Sequence, residues 1–552
     1  MPTRRIQLLW YRRSTENIGE RRLLIFFHGW CGMAILWKPF LKALTKDPDF
    51  ADFDIVVVRY GSSPFSNLRI STVVECSASL LNAARVDAYQ SVTLAGFSIG
   101  GLIARLFWLN AHGLNSLAAA PQKVSWASKI QHIVLLASPN RGSTVPARYL
   151  WAKVGQSFLE ATGLGKQILD CVQGATAVTN LRIEWIRAAD AGLVKLPMVT
   201  QVLAPDDMWV QAAESADVTL RSNGRIEVVG SGGHAGVLLT GPKHQQSFAV
   251  VKSAILGTTD PALFLRDATS GNKQLVLVRH GIRTAGRWVD QFVDGLDTTS
   301  KSTVGFDASR YGYFTALDFI LPWSRSKQLA HFCDAYTEHM SQHPNAQFHF
   351  VGHSFGTWLL GAALRGCPAM RFQAVAVAGS VLPADYPWLA CRRAGQVAAV
   401  RSDCATHDYP VGVVCCLLAS TPLVAKRVFP VLGTGGSEGF YDRDDLIRSN
   451  RFLKGGHSVA VNDSGNLASI AAWVLQWCNG EPARPMGSPI PASNQNGQLI
   501  ELFPRFAALG LPGLVVGWLC VALVTGYMFG VIAGAVAAIV VAILVLLILQ
   551  VL

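Results

Sequence analysis

A strand, a tight turn and a helix are written twice in this chain around one five-residue pattern. "SVTLAGFSIG" (91–100) leads into "GLIARLFWLN", and "AQFHFVGHSFG" (346–356) leads into "TWLLGAALRG". In each, a short apolar run meets Gly-x-Ser-x-Gly, and apolar and small residues then recur at helical spacing. Such a turn holds its serine strained and exposed, and the flanking glycines keep side chains from crowding strand and helix. A third match, "GGSEG" (435–439), has no clean strand before it and no apolar helix after it. It reads as a Gly-rich loop.

The flanks repeat as well. "LLIFFHG" (23–29), "FDIVVVRYG" (53–61), "IQHIVLLASPNRGS" (130–143), "LPMVTQVLA" (196–204) and "RIEVVGSGGH" (225–234) are apolar, β-branched runs separated by helical stretches. The series restarts with "KQLVLVRHG" (273–281), "FQAVAVAGS" (372–380), "GQVAAVRSD" (395–403) and "FLKGGHSVAV" (452–461). From His28 to Ser98 is 70 residues, and from His280 to Ser354 is 74. This is a large internal duplication. Apolar strands alternating with helices predict a mostly parallel sheet covered on both faces. The expected fold class is α/β, with two tandem domains of this kind and C-terminal transmembrane helices.

The expected boundaries are a first domain at 1–258, a linker at 259–272 and a second domain at 273–478. The first carries an insertion at about 143–195; the second carries one at 283–345, before its serine strand. Both are expected to act as caps or as plain excursions. A Pro, Gly, Ser and Asn-rich linker (479–503) leads to residues 507–552.

Of 552 residues, half are hydrophobic and 15% are charged. The excess is concentrated at the end, since Leu509–Leu552 holds no charged residue. As one helix that stretch would run roughly 60 Å, against a hydrocarbon core of about 30 Å. Two spans reversing near "TGYMFG" (525–530) fit better than one tilted span, so a transmembrane hairpin is expected. The N-terminus has too short and too charged an apolar stretch for a signal peptide. The 11 cysteines lack metal or C-x-x-C spacing and suit a reducing compartment. The body of the chain is thus expected on the cytoplasmic side, with Arg505 at the membrane edge. A net charge of +12 without a dense basic run or a nucleic-acid motif excludes a nucleic-acid partner. It suits anionic headgroups, and equally a merely solvated exterior.

A serine needs a histidine to take its proton and a carboxylate to orient that histidine, and in a strand–turn–helix setting of this kind the chain order is Ser, acid, His. For Ser98 the base is His234 in "SGGH", with His244 more solvated. The acid is Asp207 in "LAPDDMWV", with Asp206 as runner-up. For Ser354 the base is His457 in "KGGH", with His407 as the other histidine. The acid is Asp408 in "HDYPV", with Asp403 competing. An oxyanion hole needs two backbone N–H groups. Ile99 and Phe355 follow the serines. Trp30 and Ile282 follow the two His-Gly pairs, where His28 and His280 shape the loop. No Walker loop, H-E-x-x-H or metal spacing is present, so neither a cofactor nor a metal is expected.

These residues together resemble the α/β-hydrolase superfamily over roughly 20–258 and 270–478. The first module resembles its lipase-like branch through "ASPNRGS" (137–143), with Asn140 where that branch often has His. The second resembles bacterial α/β-hydrolases through "HGIRTAGRW" and "GHSFGTWLLGAAL". The resemblance implies hydrolysis of lipid or other acyl esters through an acyl-enzyme, next to a bilayer. Two other readings stand beside it. One module is a binding or regulatory domain, or the whole is a regulated membrane-damaging lipase.

Overall fold

In the computed structural model, residues 6–258 and 273–485 are described apart from internal stretches, the longest being 145–154, 295–303, 309–317 and 421–430. The expected linker at 259–272 and the expected hairpin at 507–552 lie outside the described residues. No described helix is long and apolar enough to cross a membrane. The chain divides into two compact units. The first comprises residues 1–270, 330–344 and 367–369; the second comprises 271–329, 345–366 and 370–552.

The first unit is built on seven strands: β1 (Ile6–Arg12), β2 (Arg22–Phe27), β3 (Phe53–Tyr60), β4 (Ser91–Phe97), β5 (Ile130–Leu136), β6 (Met198–Leu203) and β7 (Gly224–Val228). Their order across the sheet is β1-β3-β2-β4-β5-β6-β7. Only β1 is antiparallel, pairing with β3 along the edge; the other pairs are parallel. Parallel strands need crossovers. Helical crossovers are α1 (Ala34–Lys46), α2 (Ile70–Ala83), α3 (Ile99–Ala111) and α4 (Thr176–Asp190), and α5 (Gln245–Leu256) closes the unit after β7. Alternate residues of the strands feed two cores. One holds Leu23, Ile25 and Phe27 with α2 and α3. The other holds Leu24, Phe26, Val57 and Val134 with α1 and α5. This two-sided burial explains why the strands read as unbroken apolar runs.

The second unit has β8 (Gln274–Arg279), β9 (Val304–Asp307), β10 (Gln347–His353), β11 (Phe372–Ala378), β12 (Val397–His407) and β13 (Asn450–Gly456). All its pairs are parallel. Read from β9, the order is β9-β8-β10-β11-β12-β13. That matches β3-β2-β4-β5-β6-β7 of the first unit, without the β1 edge. Its helices include α6 (Arg287–Asp294), α7 (Pro322–Gln342), α8 (Phe355–Gly366) and α9 (Ser464–Cys478).

Two expectations change. The stretch 283–345 is not simply an insertion. It contains β9, the counterpart of β3, and α7, whose residues 330–342 group with the first unit. There Arg182 reaches Asp334 at 3.4 Å and Glu338 at 2.7 Å, and Arg141 reaches Glu338 at 2.8 Å. The word at 435–439 is a single helical turn, Gly435–Glu438, rather than an open loop. Gly436 packs there against the Ser380 backbone. The long excursion after β5 is pinned at its neck, where Ser143 accepts from the Gln173 N–H and donates its own N–H to Cys171.

Candidate functional site

In each unit the chain reverses direction across the sheet between its first two central strands, β2 and β4, or β8 and β10. A crevice opens at the carboxyl ends of strands at such a point. Ser98 follows β4 and caps α3 with φ 54° and ψ −126°. Ser354 follows β10 with φ 53°. Few non-glycine residues adopt such backbone, and it costs on the order of 1–3 kcal/mol. The flanking glycines show what enforces it. A Cβ on Gly96 would stand 2.2 Å from the Gly100 carbonyl oxygen, and one on Gly100 would stand 2.1 Å from that of Phe27. On Gly356 it would stand 2.4 Å from the Arg279 carbonyl oxygen. The pattern is therefore a packing requirement between the turn, its helix and the neighbouring strand.

The structure brings the expected bases and acids together. His234 Nδ1 lies 2.6 Å from Asp207 Oδ2. Asp207 Oδ1 accepts the N–H groups of Trp209 and Val210 at 2.8 and 2.9 Å. In the second unit His457 Nδ1 lies 2.8 and 2.9 Å from the two oxygens of Asp408. Asp408 Oδ1 also accepts from Val411 N–H at 3.0 Å. Both carboxylates are buried, whereas the imidazoles keep 15% and 18% of their side-chain surface exposed. Each base is thus oriented from below and open above. Each lies over the residue before its serine, Phe97 at 4.9 Å and His353 at 4.8 Å between ring centres. Neither serine Oγ is hydrogen-bonded to its imidazole among the described residues; such bonds often tighten only when substrate binds.

The competing carboxylates have other work. Asp206 accepts the N–H groups of Gly232 and Gly233 at 2.9 and 3.0 Å. These bonds lower its carboxyl below the usual range and hold the loop that carries His234. Asp403 is buried against Arg401 at 3.0 Å and Asn466 Nδ2 at 3.0 Å. His407 is exposed at the end of β12, and His244 sits in the turn Pro242–His244 before α5. Sequence reasoning placed Asp207 as the acid with Asp206 as runner-up, but did not foresee that Asp206 fastens the loop carrying His234. The glycine pair ahead of His234 was the one signal that a loop there needed fastening.

Ile99 and Phe355 open α3 and α8, where first-turn N–H groups have no intrahelical acceptor and the helix dipole favours negative charge. The His-Gly loops lie against the serines. A Cβ on Gly29 would stand 3.3 Å from Ser98 Cβ, and one on Gly281 would stand 2.7 Å from Ser354 Cβ. Trp30 and Ile282 directly follow these contacts. His28 Nδ1 donates to the Gly29 carbonyl at 2.8 Å, and Nε2 accepts from Tyr60 N–H at 3.2 Å. Burial lowers its pKa to about 4, so it is a neutral brace. His280 repeats the 2.8 Å contact with the Gly281 carbonyl.

Among the described residues no group of three or more His, Cys, Asp or Glu side chains is placed to hold a metal ion. None of the nine described cysteines forms a disulfide.

No family model matches the chain, and no curated protein matches its sequence. Among solved structures, the chain is similar to a monoacylglycerol lipase from Paleococcus ferrophilus, at 10% identity over 46% of this chain and 99% of that one, with a TM-score of 0.31. It is similar to an esterase from Thermogutta terrifontis at 14% identity over 46% and 89%, with a TM-score of 0.31. A bromoperoxidase from Bacillus anthracis is similar at 16% identity over 46% and 95%, with a TM-score of 0.30.

Proposed function

We propose that both units are serine hydrolases of the α/β-hydrolase kind that cleave lipid or other acyl esters, and that residues 507–552 hold them at a membrane with the body on the cytoplasmic side. The observation that carries the reading is the twofold recurrence of one arrangement. A strained serine stands at a strand-to-helix turn, and a carboxylate-bound histidine lies over the residue before it.

The chemistry follows. The serine Oγ attacks the ester carbonyl carbon while the imidazole Nε2 takes its proton. The carboxylate holds Nδ1–H and stabilises the imidazolium. Backbone N–H groups at Ile99 and Trp30, or at Phe355 and Ile282, receive the oxyanion. The imidazolium returns the proton to the departing alcohol, leaving an acyl-serine. Water, deprotonated by the same imidazole, attacks the acyl carbon, and the imidazolium returns that proton to the departing serine Oγ as the acid is released.

The test is fluorophosphonate labelling of the full chain with peptide mapping. Labels on Ser98 and Ser354 are expected. Label on Ser98 alone would make the second unit a non-catalytic domain, and label on neither would overturn the reading.

A further inference from the structure

Seven large apolar side chains are exposed among the described residues of the first unit, and five of them sit on one edge. Ile35 stands at the start of α1, Phe65 in the loop after β3, Met208 and Trp209 in the loop after β6, and Val228 at the end of β7. All five are more than half exposed, with Ile35 at 82% and Met208 at 71%. Because β2 to β7 all run parallel, these positions lie at the carboxyl edge that also carries Ser98, Asp207 and His234. Met208 and Trp209 directly follow Asp207. Of the other two, Phe158 lies in the excursion after β5 and Leu9 on the edge strand β1.

Solvated apolar side chains concentrated on one face mark a docking surface. The charges around it narrow the occupant. The loops after β2, β3, β6 and β7 hold one exposed carboxylate, Asp206, and its oxygens are engaged by Gly232 and Gly233 N–H. Arg59, Lys38 and Lys243 are exposed on the elements flanking those loops. Apolar side chains bordered by cations, with little negative charge, complement an anionic lipid surface. The chain also ends in 44 residues without a charge, which suit the same phase.

We propose that this edge of the first unit docks on an anionic lipid bilayer, and that the substrate of Ser98 is an acyl lipid drawn from that bilayer rather than a dissolved ester. The proposal rests on the reading of Ser98 as nucleophile.

The test uses the full chain carrying Ser354→Ala, reconstituted in vesicles of phosphatidylcholine and phosphatidylglycerol. Two rates are measured on each sample: hydrolysis of a water-soluble butyrate ester and of diacylglycerol carried in the vesicles. In the triple variant Ile35→Ser, Phe65→Ser, Met208→Ser, the vesicle rate is expected to fall about tenfold or more, since lost apolar contact weakens docking exponentially. The soluble rate is expected to hold. The corresponding triple leucine variant is expected to keep both, which separates lost apolarity from altered folding. Equal losses of both rates in the serine variant with both kept in the leucine variant, or an unchanged vesicle rate, would overturn the docking proposal. So would a dimer that the serine variant dissociates without slowing vesicle hydrolysis, because the occupant would then be a second copy. If Ser98→Ala retained the soluble rate, the nucleophile assignment itself would fail.

Discussion

Replacing Asp207 by asparagine asks whether the carboxylate pair at 206 and 207 divides its labour as the geometry requires. Asp207 Oδ1 is committed to two backbone N–H donors, Trp209 and Val210, and Oδ2 faces His234 Nδ1 at 2.6 Å. In the Asp207→Asn variant the amide oxygen must stay with the backbone donors, so the NH2 group turns toward the imidazole. Nδ1 then has to accept, and the proton moves to Nε2, the atom that should take the serine proton. Inversion of this kind costs a triad enzyme about 10⁴ in rate, or about 5 kcal/mol of transition-state stabilisation. Asp206→Asn keeps an acceptor for one of its two glycine N–H groups and should slow the reaction less than about tenfold. The assay is the rate of fluorophosphonate labelling at the Ser98 peptide, read by mass spectrometry with the Ser354 peptide as internal control. Wild-type labelling in Asp207→Asn, or equal losses in the two variants, would refute the reasoning.

In the second unit, Asp408→Asn is expected to slow Ser354 labelling by about 10⁴. Asp403→Asn should instead lower the urea midpoint by leaving Arg401 buried without its carboxylate, at about 3 kcal/mol. Gly100→Ala, with its Cβ 2.1 Å from the Phe27 carbonyl oxygen, should destabilise by about 1–3 kcal/mol or more and abolish Ser98 labelling; an unchanged melting curve would show that the turn yields. Burial lowers His28 and His349 to about 4 and His353 to about 3. These groups are neutral when folded and protonate first when unfolded, so stability is full above about pH 6.5 and falls as pH drops toward 4, by about 3 kcal/mol per histidine. A urea midpoint flat between pH 7 and 4.5 would contradict that. Truncation after Gln498 should release the body from the membrane fraction without detergent, and retention there would move the anchor elsewhere.

The two serine turns were legible because their constraint is local. Glycines must stand where a Cβ would meet backbone, and five residues suffice to write that. The Asp207–His234 and Asp408–His457 pairs were reachable by chain order and by the glycine loops ahead of the histidines. β9 was not, because "VGFD" is four residues long and β8 alone pairs with it. β1 was missed because an antiparallel edge strand with partly exposed residues carries a weak apolar signal. Residues 330–344 group with the first unit, where Arg182 meets Asp334 and Glu338 more than 150 residues away. Periodicity within a window carries no trace of such a contact.

The two units share some parts and differ in others. Strand order, serine φ and the His-Gly brace recur, as does the distance from base to the residue beneath it. That residue does not: it is Phe97 in one unit and His353 in the other. His353 Nε2 lies 3.3 Å from the His457 carbonyl oxygen, so it adds a polar tether under the second base. It adds no charge, because burial first, and His457 next, lower it to about 3. A neutral floor is consistent with the proton-transfer role proposed for His457. A second contrast lies beside the acids. After Asp207 come exposed Met208 and Trp209, and after Asp408 comes exposed Tyr409. An apolar pair favours a hydrocarbon phase, while a tyrosine has an apolar body and a wet hydroxyl tip. The shared parts are those that the proposed function assigns to nucleophile and base; the divergent parts are those that a substrate would meet on arrival. On the proposed reading, the two sites would run one chemistry on differently presented esters.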